Sequence, residues 1–315
     1  MHLVHMPLQA QQAALDAFSA VDNTHRQQMH AMVNAMDAYI GGVVHALQTA
    51  GLWNNTLLVV HGDNGGEVLT EFCGGNNWPL RGGKFSHFEG GVRVPALVSG
   101  GALPAAQRGA VSESLMSIAD WYATYAYLAG AGEGAGLVDE RAAAAGLPPL
   151  DSKNCWAMLS GAAVGAGACR SEVVLGDTSA VAYNMDGDAL VGGLLREDYH
   201  KLLLGPANQG YMVGQDVLTG PLYPNNSLPV VIPALQPRVC GRTPATGCLF
   251  NVHSDPSESS NLAATMPELF TEMLARVDAL QASVYSPVRG HKDPAACASA
   301  ADRGYYWGPF LAPSF

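Results

Sequence analysis

Between His25 and Ala50, apolar side chains recur at three- and four-residue intervals: Met29, Met32, Val33, Met36, Ile40, Val43, Val44 and Leu47. That spacing predicts an α-helix with one stripe turned to a core. Asp22 or Asn23 can cap its start, and Gly51 stands where a left-handed terminator belongs. The methionines in the stripe read as packing rather than as ligands. Thr56-Leu57-Leu58-Val59-Val60 follows, a continuous apolar run that predicts a strand buried on both faces. Two further strands are expected, one at Leu3-Val4-His5, ended by Pro7, and one from Val92 to Val98. Residues 112–130 predict a second helix.

The pattern changes in the second half. Glu172 to Gly176, Leu190 to Arg196 and His200 to Leu204 are short apolar runs separated by turns, the mark of an antiparallel meander. A proline-rich connection (221–237) leads to Cys248-Leu249-Phe250-Asn251-Val252, and an amphipathic helix is expected over about 266–283. Residues 131–149 and 161–168 are rich in alanine and glycine and read as surface loops. The expected architecture is α/β over residues 1–165, followed over 166–315 by a smaller subdomain of antiparallel sheet plus helix.

Composition narrows the function classes. Of the 315 residues, 48% are hydrophobic and 14% charged, which describes a globular chain. With 16 basic and 27 acidic side chains the net charge is −11, the wrong sign for a nucleic-acid binder. No stretch is long and apolar enough for a membrane span, and the first residues lack the basic start and apolar core of a signal peptide. The cysteines at 73, 155, 169, 240, 248 and 297 form no Cys-x-x-Cys pair and no zinc-finger spacing with histidine. Their even number fits disulfides made in an oxidising compartment. Connectivity stays open; Cys155 with Cys169 and Cys240 with Cys248 are simply the nearest pairs. Asn54-Asn55-Thr56 and Asn225-Asn226-Ser227 are glycosylation sequons.

Candidate chemistry sits at the mouth of the apolar strand, where His61-Gly62-Asp63-Asn64-Gly65-Gly66 begins. In open α/β sheets, sites form beyond the carboxyl ends of strands. Asp63 and Asn64 offer adjacent hard oxygens of the kind that bind calcium or magnesium, although the same residues also make a plain turn. The next loop carries Arg81 and Lys84 among many glycines, which suggests oxyanion binding; the competing reading is a solvated surface loop.

Three segments together resemble the sulfatase family, and within it the arylsulfatase B branch. They are Asn55-Thr56-Leu57-Leu58-Val59-Val60 running through Gly62-Asp63-Asn64-Gly65-Gly66, then Asn76-Asn77-Trp78-Pro79-Leu80-Arg81-Gly82-Gly83-Lys84, then Glu89-Gly90-Gly91-Val92-Arg93-Val94-Pro95. Val4-His5-Met6-Pro7-Leu8-Gln9 upstream, and Leu249-Phe250-Asn251-Val252 with Asp255-Pro256-Ser257-Glu258 near the end, extend the resemblance over nearly the whole chain. It implies an alkaline phosphatase-like fold, with part of a central mixed sheet flanked by helices. It also implies a calcium-assisted sulfuric ester hydrolase whose nucleophile is a formylglycine made from the cysteine of Cys-x-Pro-Ser-Arg. On this resemblance Asp63 and Asn64 are metal ligands, and Lys84 contacts the sulfate ester. His5 lies near the leaving oxygen as a catalytic and substrate-binding group. Arg81 either touches sulfate or organises the loop. His61, His87 and Glu89 have packing or loop roles, Asp255 and Glu258 structural ones, and Cys297 matches a late family cysteine expected here as a free thiol.

The sequence also departs from the family. No Cys-x-Pro-Ser-Arg or serine equivalent occurs, and the early aspartate pair and the lysine and histidine that precede His5 in complete enzymes are absent. The expectation is therefore the C-terminal portion of a sulfatase, with an incomplete calcium site and no turnover by itself. Exposed apolar faces would make it poorly soluble. The expected partner is a sulfate ester, on a sulfated glycan, in a secreted or lysosome-like compartment. Two rivals are a two-zinc phosphatase or phosphodiesterase, which Asp63-Asn64 without a histidine-rich motif argues against, and a non-catalytic protein that binds a sulfated glycan or a partner.

Overall fold

The computed structural model describes residues 4–68, 74–131, 139–162, 169–177, 191–206, 219–220, 222, 239–284 and 295–306. The chain opens with α1 (Gln12–Asp16) and the long α2 (Thr24–Thr49). Asn23 is the cap of α2: its side chain accepts from the Arg26 amide at 3.0 Å. Gly51 terminates it with φ +71, a conformation glycine adopts without steric cost. The apolar stripe is real but shallow. Ala31 and Met32 are buried, Met29, Met36, Ile40, Val44 and Leu47 half-buried, and Val33 and Val43 exposed. Among the described elements α2 packs mainly on α1 and on the turn after its own end, which is too little to cover the stripe.

Next come β1 (Leu58–His61), α3 (Glu89–Val92) and β2 (Ala96–Ser99). β1 and β2 pair antiparallel, with Leu58 opposite Ser99 and His61 opposite Ala96. Leu58, Val59 and Val60 are half-buried, not buried on both faces as the apolar run suggested, because β2 is their only partner strand among the described residues. The second strand starts later than expected. Val92 closes a helical turn in which its amide donates to the Phe88 carbonyl at 3.2 Å and Arg93 donates to Glu89 at 2.8 Å. Val4 does not lie in a strand either: its φ is +67, and Leu3 falls outside the described residues.

The helix expected over 112–130 shortens to α4 (Asp120–Leu128). Asp120 fixes its start by accepting from the Ser117 amide at 2.7 Å while its own amide donates to the Ser117 carbonyl at 2.9 Å, one half of a capping box. The alanine-rich stretch contains a short helix, α5 (Glu140–Ala144), capped by Asp139, whose side chain accepts from the Ala142 amide at 2.9 Å. A single turn, α6 (Trp156–Leu159), follows. The expected division near residue 165 and most of the proline-rich connection lie outside the described residues.

The second half is built as its pattern suggested. β3 (Glu172–Asp177), β4 (Val191–Arg196), β5 (His200–Leu203) and, after the short pair β6 (Gly205–Pro206) and β7 (Val239–Cys240), β8 (Cys248–Asn251) form a sheet of order β3-β4-β5-β8. All its neighbours are antiparallel. α7 (Pro267–Gln281) covers one face and α8 (Ala295–Asp302) comes last. Side chains alternate through the sheet with the period of two. Leu194, Leu202 and Leu249 pack with Phe270, Met273 and Val277 of α7. Their neighbours Leu195, Leu203 and Phe250 turn the other way, onto Phe88. Each buried Phe or Leu contributes about 1.5–3 kcal/mol by leaving water, so the sheet is held on both sides, and its second face grips the loop that precedes α3. Disulfides join Cys155 to Cys169 and Cys240 to Cys248. Among the described residues no helix is long and apolar enough to cross a membrane.

Candidate active site

The site is a crossing of backbones at the end of β1. The Gly62 amide donates to the Pro95 carbonyl at 3.1 Å and the Gly65 amide to the Gly91 carbonyl at 2.9 Å, tying the Asp63-Asn64 loop to α3 and to the segment between α3 and β2. The approach requires glycine: a Cβ on Gly65 would stand 1.7 Å from the Gly90 carbonyl oxygen. From the other side Asn77 acts as a bracket. Its Oδ1 accepts from the Gly66 amide at 2.8 Å, and its Nδ2 donates to the carbonyls of Gly66 and Gly82 at 2.8 and 3.0 Å. The Lys84 amide then donates to the Gly66 carbonyl at 3.1 Å, which sets Lys84 two residues along from Asn64.

On this frame the residues singled out by sequence fall into two groups. Asp63 and Asn64 are exposed. Asp63 Oδ1 accepts from the Asn64 amide at 2.9 Å, and Asn64 Nδ2 donates to the Gly65 carbonyl at 2.8 Å, so Asp63 Oδ2 and Asn64 Oδ1 carry no hydrogen bond among the described residues. Lys84 and His5 meet: Nζ lies 3.2 Å from Nε2, although the residues are 79 positions apart. His5 Nδ1 is 3.0 Å from the Met6 carbonyl oxygen. A carbonyl only accepts, so Nδ1 carries the proton and Nε2 presents its lone pair to the lysine.

Arg81 belongs to the loop's scaffold. Its guanidinium lies 4.3 Å from the centre of the Phe88 ring, and its Nη1 donates to the Glu258 carbonyl at 3.0 Å. Glu89, read in a packing or loop role, does more. Its Oε1 lies 2.9 Å from Lys201 Nζ, and that ammonium lies 3.0 Å from Glu258 Oε1. Glu258 Oε2 also accepts from the Glu89 amide at 2.6 Å. All three residues are buried. Lys201 sits in the row Leu195–Lys201–Phe250, in the middle of the apolar face turned to Phe88. Burial, with Glu89 adding and Lys201 opposing, holds the Glu258 carboxyl above its usual range. Sequence reasoning missed Lys201 and Asn77. A lysine in a strand and an asparagine in a loop read as solvated unless their distant partners are known.

His61 Nδ1 lies 2.9 Å from the Gly62 carbonyl oxygen, and its ring is parallel to Trp121, with centroids 6.4 Å apart. His87 packs over β4, where a Cβ on Gly192 would meet its Cε1 at 2.8 Å. Asp120, Cys155 and Cys169 also cluster, but the cysteines are disulfide-bonded and the carboxylate takes the Ser117 and Lys153 amides and Arg170. That cluster is structural.

Residues 2–131 match the model of the Sulfatase family. Arylsulfatase J of Mus musculus is 28% identical over 320 residues, covering 98% of this chain and 48% of its own length. Steryl-sulfatase of Rattus norvegicus is 41% identical over 106 residues, which cover 31% of this chain and 18% of that protein. The crystal structure of Ps i-CgsB in complex with k-i-k-neocarrahexaose superposes with a TM-score of 0.62 at 25% identity, covering 95% of this chain and 52% of that one. The chain thus spans about half the length of the relatives it matches from end to end. The superposition assigns the alkaline phosphatase-like fold, and the motif segments at the crossing lie inside the matched region. Residues 2–131 thus match the Sulfatase family model, and along nearly its whole length the chain is similar in sequence to a protein that is itself a sulfatase.

Proposed function

We propose that this chain supplies the sulfate-binding and leaving-group side of a sulfuric ester hydrolase site, of the arylsulfatase B type. The observation that carries this is the contact of Lys84 Nζ with His5 Nε2, held beside the Asp63-Asn64 loop through the Gly66 carbonyl. An ammonium at this place can bind a sulfate oxygen and offset charge as the ester bond breaks. His5 is set in the tautomer whose Nε2 takes up a proton, and once protonated there it can hand that proton to the departing alkoxide. Arg81 acts through the loop, not on the substrate.

A divalent metal ion belongs to this reading, and calcium is our assignment. Asp63 Oδ2 and Asn64 Oδ1 are adjacent, exposed and hard, which fits such an ion, but they supply two of the about six to eight oxygens it takes. A bound cation would add Lewis-acid polarisation of the sulfate. The nucleophile motif Cys-x-Pro-Ser-Arg does not occur in the 315 residues, so we assign no turnover to this chain alone. The substrate we favour is a sulfated saccharide, supported by the neocarrahexaose complex of the structural relative. The two disulfides favour an oxidising compartment, in keeping with a secreted or lysosome-like location.

Two experiments test the reading. The purified chain, given an aryl sulfate and calcium, should release no sulfate above a blank; release would overturn the assignment of no turnover to this chain alone. Sequencing of full-length transcripts should recover a message that encodes Cys-x-Pro-Ser-Arg in frame with His5. A message whose reading frame never contains that motif would instead support a non-catalytic sulfated-glycan binder.

A further inference from the structure

Among the described residues the loop that carries Lys84 pairs with no strand; beyond Asn77 and Gly66, it is fixed from the far side of the chain. Residues 81–89 are held at both ends by one residue, Glu258. At the start, Arg81 Nη1 donates to the Glu258 carbonyl at 3.0 Å; at the end, the Glu89 amide donates to Glu258 Oε2 at 2.6 Å. Between the Glu89 and Glu258 carboxylates, Lys201 Nζ from β5 closes the contact at 2.9 and 3.0 Å. Glu258 adopts a left-handed φ of +48, uncommon for glutamate, which is maintained while its backbone and side chain serve two partners. The ends of the loop are also tied to each other, the Gly90 amide donating to the Arg81 carbonyl at 2.6 Å.

We infer that Glu258 and Lys201 are positioning residues for Lys84. With Glu89 they form a buried ionic latch through which the C-terminal sheet sets the site loop in place. Two carboxylates and an ammonium in an apolar layer are a poor way to gain stability, since hydrophobic residues of similar volume often do as well or better. They do impose geometry, because each group has a strict requirement for its partners. The chain of contacts is short. Glu258 holds Arg81 and Glu89, those residues bound the loop, and the loop presents the Lys84 amide to Gly66 and its ammonium to His5. This inference rests on the proposed role of Lys84, but its first readout does not.

The test is amide hydrogen exchange of the whole chain, joined to titration with inorganic sulfate. Glu258→Ala should speed exchange of the Gly65, Lys84 and Gly90 amides about tenfold or more, and should weaken sulfate binding by a comparable factor. Leu202→Ala is the control. It lies on β5 beside Lys201 but faces α7, so it loosens the core without touching the latch. If the three amides respond to Glu258→Ala no more than to Leu202→Ala, the residue is merely structural and the inference fails. Faster exchange in a protein that binds no sulfate even as wild type would uphold the latch and sink the site reading instead. Should Glu258→Ala not fold, urea-dependent exchange of the wild type decides. The Lys84 and Gly90 amides should then open in one cooperative step with Lys201 and Phe250, and opening of the loop well before β5 would overturn the proposal.

Discussion

Gly65 is where the backbone crossing can be tested hardest. A Cβ there would sit 1.7 Å from the Gly90 carbonyl oxygen, 2.7 Å from its carbon and 3.1 Å from Gly91 Cα. Real Cβ atoms do not approach closer than 3.0 Å, and the obstacle is backbone, so in Gly65→Ala the two segments must part by more than 1.3 Å, the gap between 1.7 and 3.0 Å. The 2.9 Å bond from the Gly65 amide to Gly91 breaks as they part. Overpacking of this kind costs about 1–3 kcal/mol, and a buried donor left without a partner about 1–3 kcal/mol more. The lower unfolded-state entropy of alanine returns about 0.4–1 kcal/mol. Net destabilisation of about 1–5 kcal/mol should appear in urea unfolding followed by tryptophan fluorescence. Gly41, in α2, is the matched control: nothing lies within 4 Å of its Cβ position, so Gly41→Ala should stabilise by about 0.5–1 kcal/mol. If Gly65→Ala falls within about 0.5 kcal/mol of wild type, the segments do not cross as described.

Other outcomes follow from the same structure. Phe270→Ala removes a fully buried ring between α7 and the sheet and should cost about 3–5 kcal/mol in the same assay. Reduction of the Cys155–Cys169 bridge, which spans a sequence separation of 14, should lower stability by about 3 kcal/mol; a Cys155→Ala/Cys169→Ala double variant with wild-type stability would contradict this. Because the Glu258 carboxyl is held above its ordinary 4.5, the folded chain binds that proton more tightly than the unfolded one. Its contribution is complete below 4.5 and declines as pH rises through the raised value. The stability of wild type relative to Glu258→Gln should therefore fall as pH is raised above 4.5, measured by urea titrations across pH; a flat or rising difference would refute it.

What could be read from sequence was what local periodicity encodes. The helix that the three-and-four spacing predicts is there as α2, with Asn23 and Gly51 at its ends, as are the strands of the short apolar runs (β3, β4, β5) and the amphipathic helix α7. The failures lie where distant contacts override local preference. Val92 looks like the start of a strand, but its amide is taken by Phe88 and it ends a helical turn. Val4 sits at positive φ, which a β-branched residue does not choose by itself. The site divides in the same way. Lys84 and His5 are joined across 79 residues, and only family resemblance, not spacing, pointed to both. The partners of Lys201 lie 112 positions before it, at Glu89, and beyond β8, at Glu258, so no window of sequence contains the latch.

The central claim is that Lys84 binds a sulfate group beside His5. It is tested most directly by calorimetric titration of inorganic sulfate, in the presence of calcium, into wild-type chain and into Lys84→Met. A charge-assisted hydrogen bond contributes about 1.5–3 kcal/mol, so the account predicts saturable wild-type binding that weakens roughly tenfold to a hundredfold in Lys84→Met. Equal affinity for sulfate in the two proteins would contradict it.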